Sequence, residues 1–169
     1  MVTFITGKSC CGKSHFVERL NGVVLELDLV VRELAEEMGI GETPDYDEAF
    51  SVYKNEGELV DRFVERVREE IANNENIIIE GALANVEIIN RIFDGEYKFI
   101  YLHPIDINRY YGKIMKRITI DIKNGTRTVP IWNDKEDLDV FGFTRKMMDK
   151  SNERLRYFQE HFNVVVVEV

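Results

Sequence analysis

A glycine loop closed by a lysine and a hydroxyl residue leaves this chain few ways to fold. Residues 7 to 14 read Gly7-Lys8-Ser9-Cys10-Cys11-Gly12-Lys13-Ser14, the pattern G-x-x-x-x-G-K-S, and they follow the apolar run Val2 to Thr6. Strand, glycine loop and lysine in that order make a phosphate-binding P-loop, with a helix expected to begin near Gly12. Phosphate chemistry accounts for the residue types, since loop N–H groups converge on phosphate oxygens, helped by the positive end of the helix. Lys13 is expected to reach the β- and γ-phosphates of ATP, the phosphate donor, and Ser14 to ligate Mg²⁺. Gly7, Lys8, Ser9, Cys10, Cys11, Gly12, Lys13, Ser14 and His15 are therefore the candidate nucleotide-binding residues.

Charge narrows the partners. The 169 residues hold 22 Lys and Arg against 31 Asp and Glu, a net charge of −9. Nucleic acid demands a basic face that such a chain must build from few cations, so small nucleotides and metabolites are the expected ligands. No run approaches the roughly 18 apolar residues of a membrane helix, and the start has no charged leader before an apolar stretch. A soluble, unprocessed, cytoplasmic protein is expected, as a monomer or homodimer. The two cysteines are adjacent, so neither a disulfide framework nor a C-x-x-C pair can be drawn. Their nearness to a helix N-terminus allows a lowered thiol pKa, although small loop fillers are the plainer reading. Cys10 fits the loop if its backbone avoids a strained positive φ.

The length suits one compact α/β domain over residues 1–169. Apolar, β-branched runs recur at Val2 to Thr6, Val23 to Leu27, Ile77 to Ile79, Phe99 to Leu102 and Val164 to Val167. Runs that are nearly all apolar suit strands covered on both faces, hence a parallel sheet. Helical stripes lie between them: Leu59, Val60, Phe63, Val64, Val67 and Ile71; Ile107, Tyr110, Tyr111, Ile114 and Ile118; Phe143, Met147, Leu155, Phe158 and Phe162. A further helix is expected near Asp45 to Tyr53, after a loop over Gly39 to Pro44. A doubly wound sheet binds ligands beyond the carboxyl ends of its strands, which puts the glycine loop, Asp28, Glu80 and His103 on one edge. Asn124 to Asp137, with Gly125 and Pro130, reads as a loop placed to close over a bound nucleotide.

Several residues carry expected chemistry. Asp28, at the end of the second strand, would hold the acceptor hydroxyl and receive its proton, or cap the following helix. Glu80, after Ile77-Ile78-Ile79, can hold a water on Mg²⁺ or contact substrate. Arg117 and Arg127 are the candidate cations for the transferring phosphoryl group, and Arg117 also for nucleotide contact. Arg32, one helical turn beyond Asp28, is placed to clamp the acceptor or to pair with Glu36.

These residues resemble the P-loop nucleoside kinases, most closely the uridine-cytidine kinase and phosphoribulokinase group. The corresponding residues are Asp28, Glu80-Gly81, Lys116-Arg117, Ile120-Asp121 and Thr126-Arg127, while Pro44-Asp45-Tyr46-Asp47-Glu48-Ala49-Phe50 is similar to a segment near the nucleoside, making Tyr46 a candidate substrate contact. Ile120 stands where that group has a lid arginine, and Gly125 is displaced. Leu27 to Leu34 is also similar to the acceptor region of dephospho-coenzyme A kinases. The resemblance implies a three-layer P-loop nucleoside triphosphate hydrolase fold with a five-stranded parallel sheet of order 2-3-1-4-5. It also implies an acceptor-binding insertion at about 29–73 and a lid at about 116–137. The activity it implies is ATP- and Mg-dependent phosphoryl transfer to a small-molecule hydroxyl, a nucleoside first, a nucleoside monophosphate or dephospho-coenzyme A otherwise. A regulatory ATPase without a small acceptor is the alternative of a different class; the guanine-reading Asn-Lys-x-Asp of GTPase switches does not occur.

Overall fold

The computed structural model describes residues 1–40, 57–133 and 139–169. Five parallel strands, β1 (Val2–Gly7), β2 (Val23–Glu26), β3 (Ile77–Glu80), β4 (Tyr97–His103) and β5 (Val164–Glu168), form one sheet in the order β2-β3-β1-β4-β5. The helices between them are α1 (Lys13–Val17), α2 (Leu27–Glu37), α3 (Glu58–Asn73), α4 (Val86–Ile92), α5 (Ile107–Asn124) and α6 (Val140–His161), with a 3₁₀ turn at Pro130–Asn133. The strand order is the one the sequence led us to expect.

Alternation along the central strands supplies two cores. Phe4, Ile77, Ile79, Phe99 and Tyr101 face one side, under α2, α3, α4 and Phe158 of α6. Ile5, Ile78, Ile100 and Leu102 face the other, against Cys11 and Val17. The expected covering of both faces holds for these three strands and fails at the edges. Val23 and Val24 of β2 are 50% and 44% exposed, and Val165 of β5 is 43% exposed. The strand order explains this, since β2 and β5 each have a partner on one side only.

Helix limits follow local chemistry. The Asn85, Asp106 and Asp139 side chains accept from the backbone N–H of Ile88, Arg109 and Gly142, satisfying donors that a helix start leaves open. In α3 the expected stripe is the buried face: Leu59, Val60, Phe63, Val64 and Val67. In α5, Tyr110, Ile114 and Ile118 are buried, and they build a third cluster with Val129, Ile131 and Met147. The helix expected near Asp45 to Tyr53, and Tyr46 itself, lie outside the described residues.

One boundary differs from expectation in a way that matters for the site. The second strand ends at Glu26, and Leu27 opens α2, so Asp28 sits in the first turn of that helix and not at a strand end. The helix N-cap is Glu26, which makes no side-chain capping bond, so Asp28 is not the cap either. Leu27 drives the turn, because its side chain is fully buried and packs over Gly81. A Cβ on Gly81 would lie 2.8 Å from the Leu27 Cβ, an atom close to the backbone with little room to move. Gly81→Ala is expected to cost about 2 kcal/mol by overpacking and to lower Tm by about 6 °C. Differential scanning calorimetry of the variant checks this.

Candidate active site

The loop between β1 and α1 rises from the carboxyl end of the central strand. Gly7 is needed there because a Cβ would meet the Leu102 carbonyl oxygen and the Cys11 Sγ, each at 2.8 Å. Gly12 takes φ 99° immediately before α1, a region glycine enters without strain. Cys10 shares the left-handed region, with φ 62°. The condition under which a cysteine fits without strain is therefore not met.

The thiols are not activated. Burial pushes Cys10 up to about 11, against the opposing pull of Lys13 and Arg117. Cys11, fully buried, is raised for the same reason. A nearby helix N-terminus does not overcome desolvation, so the expected possibility of a lowered thiol pKa is overturned. Cys11 is a core residue beside Ile5 and Leu102, and Cys10 packs against the Tyr110 cluster.

Lys13 folds back over its own loop. Its Nζ donates to the Gly7 carbonyl at 3.2 Å and the Lys8 carbonyl at 3.3 Å. Both acceptors are neutral carbonyl oxygens, so neither cancels the charge of the ammonium. Ser14 lies next to it in the first turn of α1. The His15 side chain is turned to solvent, 3.4 Å from Glu18 and 2.6 Å from Arg19.

A group of carboxylates lies around Glu80, within electrostatic reach of Lys13. Glu80 closes β3 in register with Ile5 and with Glu26. Its pKa is raised by burial first, then by the charges of Asp28 and Glu26, while Lys13 acts in the opposite direction. Glu26 is a member of this group that sequence reasoning missed, and its pairing partner across the strands is the signal that finds it. Asp28 and Arg32 are both exposed on α2. Among the described residues no group of three or more His, Cys, Asp or Glu side chains is disposed to cage a metal.

Helix α5 holds the loop from the far side. Tyr110 donates its hydroxyl to the Ser9 carbonyl at 2.6 Å, and Lys113 Nζ donates to the Cys11 carbonyl at 3.2 Å. Arg117 stands four residues beyond Lys113, and the helical spacing of Tyr110, Lys113 and Arg117 puts them on one face, although the sequence reading gave Tyr110 only as a core position and assigned no role to Lys113. Arg117 Nε donates to Thr128 Oγ1 at 2.7 Å. The beginning of the expected lid is therefore helical, with Lys116 and Arg117 inside α5, and only the residues after Asn124 leave the helix. Arg127 is exposed in that following segment.

Asp121 ties the segment down. Its side chain is fully buried and accepts from Thr126 Oγ1, Thr128 Oγ1 and the backbone N–H groups of Thr128 and Val129, at 2.8, 2.8, 2.9 and 3.2 Å. The same Thr128 hydroxyl receives Arg117, so the carboxylate sets the arginine through one intermediate oxygen.

Lys8 faces α6, not the loop interior. It lines a cleft of about 470 Å³ with Ala84, Lys150, Glu153, Arg154 and Tyr157. Its pKa is lowered to about 8, by burial first and then by the charges of Arg154, Lys150 and Lys13, with Glu153 opposing.

No family model and no curated protein matches this sequence. Solved structures do match. A gluconokinase from Sinorhizobium meliloti 1021 superposes with a TM-score of 0.54 at 14% identity, over 99% of this chain and 82% of its own. A shikimate kinase from Acinetobacter baumannii in complex with shikimate gives 0.53 at 11% identity, over 99% and 83%. A dephospho-CoA kinase from Campylobacter jejuni gives 0.50 at 14% identity, over 99% and 88%. The chain thus has the fold of P-loop small-molecule kinases. At such identities the likeness is one of fold, and residue roles rest on the geometry above.

Two outcomes are expected. Asp121→Ala should cost about 3 kcal/mol, since it leaves buried donors without their charged acceptor, and should lower Tm with loss of the ordered turn after α5. The side-chain NMR titration of Lys8 should have its midpoint near 8. An anion bound beside it should move that midpoint upward, because it offsets the repulsion from the neighbouring cations. The lowered value also makes the sign of the stability effect definite: the unfolded chain holds this proton to higher pH, so the folded state gains stability as pH rises from about 8 toward the ordinary lysine range.

Proposed function

We propose that the protein is an ATP- and Mg²⁺-dependent phosphotransferase that moves the γ-phosphoryl group to a hydroxyl of a small molecule of the nucleoside or nucleotide class. The observation that carries this reading is the ammonium of Lys13, held by two loop carbonyls, with the carboxylate of Glu80 within electrostatic reach of it. The fold shared with a gluconokinase, a shikimate kinase and a dephospho-CoA kinase agrees with it.

The roles follow from position. Loop amides and Lys13 bind the polyphosphate, and Lys13 exchanges its carbonyl partners for phosphate oxygens. The donor set fits Mg²⁺, which keeps most of its waters and takes few protein ligands: the Ser14 hydroxyl and the Glu80 carboxylate would hold it, directly or through water. When bound, the ion supplies charge stabilisation for the transferring group. Asp28 orients the acceptor hydroxyl and takes its proton, with Arg32 one turn further along α2 as a second acceptor contact. Arg117, set by Thr128, and Arg127 meet charge that develops on the equatorial oxygens. Residues at about 116–137 act as the lid, and the stretch at about 29–73 serves acceptor binding. Two free, adjacent thiols suit a reducing cytoplasm.

The reading is tested by two substitutions. Lys13→Ala should reduce ATP turnover by at least about 10³-fold, in line with the loss of a preorganised electrostatic group, while the far-ultraviolet circular dichroism spectrum is kept. Retention of activity would end the assignment. Asp28→Asn should depress kcat with little change in ATP affinity, since the carboxylate acts on the acceptor. Release of ADP that depends on an added acceptor separates a kinase from a regulatory ATPase, which would respond instead to a protein partner.

A further inference from the structure

The cleft between α6 and the loops after β1 and β3 is built from cations in a chain whose net charge is −9. Lys8, Lys150 and Arg154 line it, together with Ala84, Glu153 and Tyr157. Among the described residues, ion pairs engage Arg62, Arg66, Arg68, Arg91 and His15, and none of them involves Lys8, Lys150 or Arg154. Arg154 is half-buried, and burial lowers its pKa, so its charge is held there at a cost. Lys8 and Arg154 are partly desolvated, and the exposed Lys150 adds a like charge beside them, a cost that a bound anion would offset. Glu153 supplies part of that compensation, since it raises the Lys8 pKa that the other cations lower.

The place of the cleft says what it serves. The α6 residue Phe158 packs on the sheet face that also carries α2, and the Leu83 carbonyl beside Ala84 accepts from Thr6 Oγ1 of β1 at 3.5 Å. The cleft thus opens on the side of the sheet occupied by α2 with Asp28 and Arg32, and it adjoins the phosphate loop through Lys8. Its volume suits a small metabolite, not a macromolecule.

We infer that this cleft is an anchoring subsite for an anionic group of the acceptor, a carboxylate or a phosphate monoester, held by Lys8, Lys150 and Arg154. The inference rests on the proposed kinase reading and narrows it, favouring a charged acceptor such as a nucleoside monophosphate over a neutral nucleoside. Arg154 presents planar donors matched to either anion, while the two lysines act as point charges. Anchoring the charged end leaves the hydroxyl free to lie near Asp28 and the donor phosphate.

The test uses the whole chain saturated with Mg²⁺ and a non-hydrolysable ATP analogue, which fills the phosphate loop. Methyl phosphate and acetate are titrated separately, with methanol and acetamide as neutral controls, and the side-chain resonances of Lys8 and Lys150 are followed by NMR. Saturable shifts with at least one of the anions and with neither neutral control are expected. The anion that saturates distinguishes a phosphorylated from a carboxylated acceptor. Arg154→Gln should weaken that binding at least tenfold, the scale of one lost charge-assisted hydrogen bond, and Arg154→Lys should restore part of it. Analogue affinity should stay within about twofold in both variants, since Arg154 lies on α6 and not on the phosphate loop. Absence of saturation, equal response to the neutral controls, or unchanged binding in Arg154→Gln would overturn the inference. So would competition between the anions and the nucleotide analogue, which would make the cleft part of the donor site. If the analogue itself fails to bind, the kinase reading falls, while the same titration on the free protein still decides whether the cleft takes anions.

Discussion

A concentration of positive charge marks the carboxyl edge of this sheet. Lys8 and Lys13 leave the same short loop, Lys113 reaches it from α5, and Lys150 and Arg154 approach it from α6. In an acidic protein such a concentration does not arise from composition. It arises because a parallel sheet brings every strand's carboxyl end, and the loops that follow, to one side. The backbone already contributes partial positive charge there through amides that no helix or strand satisfies. Glu80 near Lys13 and Glu153 near Lys8 offset part of this charge, and polyphosphate and an anionic acceptor would both supply more.

Rigidity at this edge is obtained without glycine at every position. Cys10 accepts a left-handed backbone that costs about 1–2 kcal/mol for a side-chain-bearing residue, and the surrounding structure holds it there. Tyr110 grips the neighbouring Ser9 carbonyl, Lys113 grips that of Cys11, and the Cys10 side chain is packed in the cluster of α5 and α6. The loop is therefore clamped by the helix that also carries Arg117. Asp121 extends the same logic downstream, fixing Thr128 and through it the arginine. The segment after α5 is thereby joined by hydrogen bonds to one of the cations of that helix.

Much of the fold was legible because its signals are local. The runs ending at Thr6, Ile79, Leu102 and Val167 are strands within one or two residues of the sequence reading, and the stripe from Leu59 to Val67 is buried as periodicity requires. The exceptions have physical causes. Val23-Val24 resembles an inner strand in composition, yet strand order makes it an edge, and order depends on which strands find each other across long separations. Leu27 continues an apolar run, yet it turns the chain into α2 because its contact is with Gly81, more than fifty residues away.

The site divides the same way. Sequence alone determined the glycine loop, the lysine and serine at its end, and the acidic strand end at Glu80, since each is a contiguous pattern whose chemistry is carried by neighbouring residues. Only the tertiary structure decided that burial, not the helix dipole, governs the two thiols, that Tyr110 and Lys113 clamp the loop, and that Lys8 meets Lys150 and Arg154 in one cleft. Tyr110 and Lys113 lie about a hundred positions from the loop they clamp, and Lys150 and Arg154 still farther from Lys8, so the charge, burial and spacing that give them meaning exist only once the sheet and its helices have closed around them.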